Sequence, residues 1–319
     1  MVTAMTHTLN SRAQHVLAAC NFDDLNIIAH DIPEGGRVYD CGITAAGGLQ
    51  AGLLLSKICV SGLADVSLVP GELKGFAWPH VQVVTDHPVE ACLLSQYAGW
   101  QIAVEKFFAM GSGPMRAAAA REDIFKKLSY HESATHVVGV LEGRKIPTAA
   151  VFATLAEKCG VTPAEVTLLV APTASLAGNL QVIARVVETA LHKLHEVGFD
   201  VRRIRSATGV APLPPVAQDD MTGIGRTNDA ILYGGRVTLW VQGDDESIAE
   251  IGTRVPAASS AAYGQPFTQI FEKAGRDFYK IDPHLFSPGE ITFHNLDTGR
   301  TQRFGKIAPE VLRTSFDLP

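Results

Sequence analysis

The sequence lacks the signals that mark several common classes of protein. Its five cysteines, at positions 20, 41, 59, 92 and 159, form no Cys-x-x-Cys pair, and an odd number argues against a disulfide framework or a structural zinc site. The chain does not open on a charged segment followed by an apolar one, and no window approaches the roughly 18 uninterrupted apolar residues of a membrane span. We therefore expect a cytoplasmic protein in a reducing compartment, without a membrane partner.

Positive charge is also scarce. The net charge is −6, and no cluster of lysines and arginines forms a basic patch, so we expect no nucleic-acid partner. By contrast, hydrophobic residues make up 46% of the chain and charged residues 19%, which predicts a soluble globular protein with a large core. A length of 319 residues suffices for two domains and also allows one large domain.

Several catalytic motifs are missing as well. The chain has no Gly-x-Ser-x-Gly elbow and no Walker A sequence, which removes the main signals of acyl-enzyme hydrolases and nucleotide triphosphatases. His192 and His195 are one helical turn apart, with Glu196 next, but the spacing is not His-Glu-x-x-His or its inverted form. We therefore expect no metal site.

The glycine turn at residues 111–116, Gly-Ser-Gly-Pro-Met-Arg, superficially resembles a dinucleotide fingerprint. Arg116 stands where the third glycine belongs, and no acidic residue follows a second strand about twenty residues later, so a Rossmann cofactor site is rejected. Free N–H groups at a helix start and the guanidinium of Arg116 would favour a phosphate or carboxylate. An ordinary helix cap explains the same residues equally well.

Strand-like runs alternate with helical patterns along the chain, which predicts an α/β protein. We expect two α/β domains, residues 1–160 and 161–319, because the Gly-Val-Thr-Pro sequence at 160–163 is the best candidate boundary. The aromatic tail at 263–288 is expected to pack across other elements, and a return to the first domain is one option. A pocket is expected between the two domains.

The longest helical pattern covers residues 180–197 and is followed by Gly198. Its apolar residues form one stripe, and its opposite face carries the polar side chains Gln181, Arg185, Glu188, His192 and His195. That face is either solvated, as in most surface helices, or it presents Arg185 and Glu188 to a cleft. Periodicity alone does not choose between these readings.

Several long and unusual strings resemble the methenyltetrahydromethanopterin cyclohydrolases. The matching stretches, which cover nearly the whole chain beyond residue 8, are residues 39–42, 85–88, 95–100, 109–114, 171–178, 184–190, 225–235, 281–283 and 285–288. The resemblance implies a family-specific α/β topology, a homotrimer, a role in one-carbon metabolism such as formaldehyde oxidation, no bound cofactor, and a tetrahydromethanopterin derivative as substrate. Strings of this length are far more specific than a three-residue motif.

The resemblance also implies roles for individual residues. An Arg-x-x-Glu pair linked to catalysis in the family falls on Arg185 and Glu188. Glu188 is then expected to deprotonate a water molecule, and Arg185 to hold its carboxylate in one orientation. The substrate-binding residues expected from the matching stretches are Gln96, Ser112, Gly113, Arg116, Thr173, Ser175, Arg226, Asn228 and Asp229. The distal phosphate of the substrate is expected either on residues 111–116 or near Arg226.

The same residues are compatible with two other classes of function. One is a hydrolase or formyltransferase that acts on a folate-type carrier, because it would use similar acid–base chemistry. The other is a non-catalytic pterin-binding protein, in which the Arg185–Glu188 pair merely braces its helix.

Overall fold

The computed structural model describes residues 8–73, 75–97, 99–277 and 280–318. Ala98 and, in the predicted aromatic tail, Phe278 and Tyr279 lie outside the described residues. The helices are α1 Leu9–Ala18, α2 Leu49–Cys59, α3 Met115–Ala119, α4 Asp123–Leu128, α5 Ala149–Cys159, α6 Leu176–Ile183, α7 Val186–Glu196, α8 Asp220–Gly234, α9 Asp245–Gly252, α10 Phe267–Lys273 and α11 Pro309–Ser315, with a π-helix at Val89–Gln96. The strands are β1 Ile28–Asp31, β2 Arg37–Asp40, β3 Asp65–Leu73, β4 Phe76–Thr85, β5 Trp100–Val104, β6 Phe107–Ser112, β7 Val137–Glu142, β8 Val166–Ala171, β9 Ile204–Pro212, β10 Arg236–Val241, β11 Glu290–Asn295 and β12 Thr301–Gly305.

The chain forms two compact units, each built from two separate segments. The first unit contains Met1–Ala64 and Glu90–Gly178, and the second contains Asp65–Val89 and Asn179–Pro319. These units differ from the contiguous domains predicted to meet at residue 160. The physical reason is strand pairing, because β8, which follows that position, lies between β2 and β7 in the first sheet. Each unit combines helices with one sheet, so the predicted α/β class is confirmed.

The sheet of the first unit has the order β1-β2-β8-β7-β6-β5. Strands β2, β8 and β7 are parallel, and the outer pairings are antiparallel. Residues of α1 and α2 cover one face of the sheet, and residues of α3 and α5 cover the other. A strand covered on both faces needs apolar side chains in succession, which explains the uninterrupted run Leu168, Leu169 and Val170 in β8.

The sheet of the second unit has the order β12-β11-β10-β9-β4-β3, and of its described neighbouring pairs only β10 and β11 are parallel. Ala207, Gly209 and Ala211 of β9 are buried, while the residues between them are half-buried, which is the alternation of a sheet with one well-covered face. A Cβ on Gly209 would lie 2.7 Å from a methyl carbon of Val187. Glycine therefore allows α7 to approach the sheet closely.

One segment departs from the helical pattern predicted for it, and another forms a rare type of helix. The single helix expected at residues 180–197 is two helices, α6 and α7, because the chain turns at Ala184 and Arg185. The segment Val89–Gln96 is a π-helix, and the Tyr97 N–H that follows it donates to the carbonyl of Cys92, five residues earlier, at 2.9 Å. π-Helical turns are rare and occur frequently at functional sites.

Candidate active site

The break between α6 and α7 decides where Glu188 stands in its helix. The Arg185 N–H donates to the carbonyl of Val182 at 3.1 Å, three residues back rather than four, and Arg185 has φ −84° and ψ 2°. Regular α-helix resumes at Val186, so Arg185 is the N-cap residue of α7 and Glu188 lies in its first turn. An anionic side chain is stabilised in a first turn by the partial positive charge of the helix N-terminus. The break therefore favours a carboxylate at position 188.

The polar face of this broken helix is buried. Gln181, Arg185 and Glu188 are 3%, 6% and 4% exposed, so a solvated face does not describe these three residues. Nη1 of Arg185 lies 3.7 Å from Oε2 of Glu188, which is an ion pair longer than a direct hydrogen bond. Nε of Arg185 donates to Oε1 of Gln181 at 3.0 Å. The guanidinium is thus fixed on one side by a neutral acceptor and faces the carboxylate on the other.

A buried lysine fixes the far end of α7. Nζ of Lys193 donates to the carbonyl of His284 at 2.6 Å and to the Ser259 hydroxyl at 3.2 Å. Burial lowers the pKa of Lys193 to about 8, and Arg254 acts in the same direction, while Asp282 acts against both. Through these contacts α7 is tied to the segment that carries the matching residues 281–283.

The three residues predicted on the 225–235 stretch all lie on α8, but they face different partners. Arg226 donates from Nε to the carbonyl of Ser315 and from Nη1 to that of Pro215, at 3.1 and 3.3 Å. Asn228 donates to the carbonyl of Ile224 within the same helix, at 2.8 Å. As placed, Arg226 ties α8 to the C-terminal helix, and phosphate binding by this residue stays a prediction.

Asp229 is the most unusual group on α8. Its carboxylate is fully buried and accepts the N–H of Phe267, the first residue of α10, at 2.8 Å. Burial raises the pKa of Asp229 to about 7, although the Ser315 side chain and the Phe267 N–H favour the charged form. A carboxyl group with such a pKa can exchange a proton at neutral pH.

In the first unit, Thr173 and Ser175 lie in the turn after β8, at the carboxyl ends of the parallel strands. The Thr173 hydroxyl donates to Glu142 at the end of β7, and the Ser175 hydroxyl donates to the carbonyl of Pro172 at 2.7 Å. A Cβ on Gly42 would lie 2.7 Å from the Ser175 hydroxyl. The turns after β2, β7 and β8 therefore meet at the edge of the sheet where α/β proteins bind ligands.

The turn after β2 is built around Asp40. Its carboxylate accepts the N–H groups of Gly42, Ile43, Thr44 and Ala45 at 2.7–3.0 Å, together with the Thr44 hydroxyl at 2.7 Å. Burial opposes the charge of Asp40, but these hydrogen bonds outweigh it and hold the pKa of Asp40 at about 2. Asp40 thus fixes the shape of this turn as a permanent anion.

Arg116 lies inside the first unit and is fully buried. Its Nε bonds Glu122 at 2.7 Å, and its Nη1 donates to the carbonyls of Leu93 and Ser95, both at 3.2 Å. The Gly113 N–H also donates to the carbonyl of Ser95, at 3.0 Å, from a backbone with φ +88° that favours glycine. Arg116 and Gly113 thus brace the π-helix, and anion binding by this turn stays a prediction.

Two more predicted residues lie beside the same π-helix. Gln96, its last residue, is completely buried. The Ser112 hydroxyl lies 3.3 Å from the Cys59 sulfur and donates to the carbonyl of Val140 at 3.4 Å. The structure therefore brings Gln96, Ser112, Gly113 and Arg116 into one neighbourhood of the first unit, and their contact with a substrate stays a prediction.

Several residues that shape these sites were not among the predicted site residues. Around α7 these are Gln181, which accepts a hydrogen bond from Arg185, and Lys193, which donates one to the carbonyl of His284. In the turns of the first sheet they are Asp40 and Glu142. Gln181 was detectable as a polar residue one turn before Arg185 on the same face. Asp40, Glu142 and Lys193 act through contacts with residues distant in sequence or through backbone groups, which spacing does not reveal.

Three further observations concern metal binding, the histidines of α7 and membrane-spanning helices. Within the residues that the structure describes, no group of three or more histidine, cysteine, aspartate or glutamate side chains is arranged to bind a metal ion. His192 lies 3.8 Å from Glu196 on the outer part of α7. None of the described helices has the length and apolar character needed to cross a membrane.

Comparisons with a family model and with individual proteins both match this chain to cyclohydrolases. A model of the cyclohydrolase (MCH) family matches residues 8–316. Methenyltetrahydromethanopterin cyclohydrolase of Rhodopirellula baltica is 48% identical over 289 residues, which cover 89% of this chain and 87% of that protein. Proteins of the same name from Methylobacillus flagellatus and Methanococcoides burtonii are 43% and 39% identical, each over 93% of this chain and over 90% and 93% of their own lengths.

Proposed function

Because the chain belongs to the cyclohydrolase (MCH) family, we propose that it hydrolyses 5,10-methenyltetrahydromethanopterin to the 5-formyl derivative in one-carbon metabolism. The reaction opens a cyclic amidine by breaking one carbon–nitrogen bond. The observation that carries the proposal is the buried Arg185–Glu188 pair, because a carboxylate shielded from water and held beside a cation is suited to accept a proton from an oriented water molecule.

The chemistry needs an oriented water more than it needs activation of the carbon. The methenyl carbon lies between two nitrogens in a cation and is already electrophilic. In the proposed first step, water adds to this carbon and Glu188 accepts one of its protons. In the second, the hydroxyl of the adduct loses its proton as the carbon–oxygen double bond forms, the bond to the second nitrogen breaks, and that nitrogen takes a proton. Of the two protons of the water, one ends on the nitrogen and the other is released.

Arg185 has a supporting role in this scheme. Nη1 of its guanidinium lies 3.7 Å from Oε2 of Glu188, which is longer than a hydrogen bond between these two atoms. A direct bidentate pair would stabilise the charged carboxylate further and weaken it as a base. In the proposed mechanism, this spacing lets Arg185 orient the carboxylate without the added stabilisation of a bidentate pair.

The substrate class is tested by the absorbance of the methenyl group. Methenyltetrahydromethanopterin and methenyltetrahydrofolate are offered side by side at equal concentrations, and the product is identified by mass. We expect enzyme-dependent loss of absorbance with the methanopterin substrate at a kcat/KM at least tenfold above that for the folate. A preference for the folate form would assign the protein to another carrier. Binding without loss of absorbance would make it a pterin-binding protein and contradict the proposal.

A further inference from the structure

Gln181 lies in α6, before the helix break, and its side chain reaches across the break. The acceptor in its contact with Arg185 is defined by chemistry, because guanidinium Nε can only donate a hydrogen bond. The oxygen of the Gln181 amide therefore faces Arg185, at 3.0 Å. Both side chains are buried, which removes competition from bulk water and strengthens a hydrogen bond to a charged group.

This contact links α6 to Arg185, the N-cap residue of α7. In the break, the Arg185 N–H donates to the carbonyl of Val182, three residues back, at 3.1 Å. The Gln181–Arg185 side-chain bond spans this same turn. Since Glu188 is in the first turn of α7, a fixed Arg185 at the N-cap also fixes the charge that the carboxylate faces.

The neutrality of the Gln181 amide is as important as its position. A carboxylate at position 181 would share the guanidinium with Glu188 and would place a second negative charge near it. Like charges in a buried site favour protonation of one of the two groups. A neutral acceptor orients Arg185 without adding a second negative charge beside Glu188.

We propose that Gln181 is a positioning residue for hydrolysis: it orients Arg185, which in turn sets the orientation and charge state of Glu188. The inference rests on the proposed function, because it assigns Gln181 a task only if Glu188 takes part in the reaction. Gln181 acts through Arg185 and is not assigned a contact with the substrate.

Two substitutions test this role. Gln181→Met keeps the size of the side chain and removes the acceptor, so kcat should fall about tenfold or more while KM stays within about twofold, as expected when only transition-state stabilisation is lost. Gln181→Glu keeps an acceptor and adds a charge, so the acidic limb of the kcat/KM–pH profile should move up by about one pH unit. Gln269→Met, an exposed change on α10, is the matched control and should leave both unchanged.

Specific outcomes would overturn the inference. These are a folded Gln181→Met with wild-type kcat, or a folded Gln181→Glu whose pH profile coincides with that of the wild type. If Gln181→Met does not fold, the pH profile of Gln181→Glu decides. Glu188→Gln is measured in parallel: near-normal turnover in that variant removes the proposed base itself, whereas an inactive Glu188→Gln beside a fully active Gln181→Met removes only the role of Gln181.

Discussion

Asp229 carries a buried carboxyl group whose charge changes near neutral pH. Its pKa of about 7 in the folded protein lies above the ordinary value near 3.8, because burial penalises the charged form. The folded state therefore binds a proton more tightly than the unfolded state does. The resulting stabilisation is fully present below about pH 4 and is lost as the pH rises to about 7.

Replacement by a neutral side chain of the same shape should remove this dependence. Asp229→Asn keeps an oxygen to accept the Phe267 N–H, so we expect the free energy of unfolding of the wild type to fall relative to that of the variant between pH 5 and pH 8. Urea unfolding of both proteins across that range measures the difference. A difference that stays constant with pH would contradict the raised pKa.

The contribution of Asp40 to stability has the opposite pH dependence. Its pKa of about 2 lies below the ordinary value, so its contribution to stability is present above about pH 4 and is lost as the pH falls to about 2. Asp40→Asn should cost about 2 kcal/mol of unfolding free energy at pH 7, since each pKa unit corresponds to about 1.4 kcal/mol. Urea unfolding at pH 7 and pH 3 should show the gap between the two proteins narrowing at the lower pH, and an equal gap at both would refute the assignment.

At the scale of elements, one side chain near each end of α7 ties the helix to another part of the chain. Arg185 contacts α6 at its start, and Lys193 contacts the segment at residues 259–284 near its end. A helix that must present one carboxylate reproducibly benefits from such anchors, because proton transfer depends on small differences in distance.

Removal of the second anchor should be measurable. Lys193→Met retains much of the apolar stem but no donor, which leaves the carbonyl of His284 and the Ser259 hydroxyl without this bond. We expect a loss of about 1–3 kcal/mol in the free energy of unfolding at pH 7 and faster hydrogen exchange in α7. Lys57→Met, an exposed change on α2, serves as the control, and an equally small effect of both substitutions would disprove the anchoring role.

The broken helix also shows what periodicity can and cannot predict. The apolar stripe continues through residues 183, 186 and 187 without interruption, so the sequence pattern is that of one helix. The turn at Ala184 and Arg185 changes the hydrogen bonding of the backbone, and that change leaves no trace in the spacing of apolar residues. Periodicity also cannot predict that Arg185 and Glu188 are buried, because their burial depends on what packs above the polar face.

At the scale of the whole chain, local patterns predicted the α/β class. They did not predict which strands pair, since β4 pairs with β9 and β8 pairs with both β2 and β7 across long stretches of sequence. The interleaved composition of the two units follows from those pairings. Arg116 illustrates the same limit for a side chain: its sequence context suggested an anion site, whereas Glu122 and two backbone carbonyls engage it inside the first unit.

The most direct test of the account is the turnover of Glu188→Gln with methenyltetrahydromethanopterin, measured together with its affinity for that substrate. The substitution preserves shape and removes the base, and general acid–base catalysis contributes about 10²–10⁴-fold to such reactions. We predict that kcat falls by that factor while the folded variant still binds the substrate. Near-normal kcat in the folded variant would contradict the account.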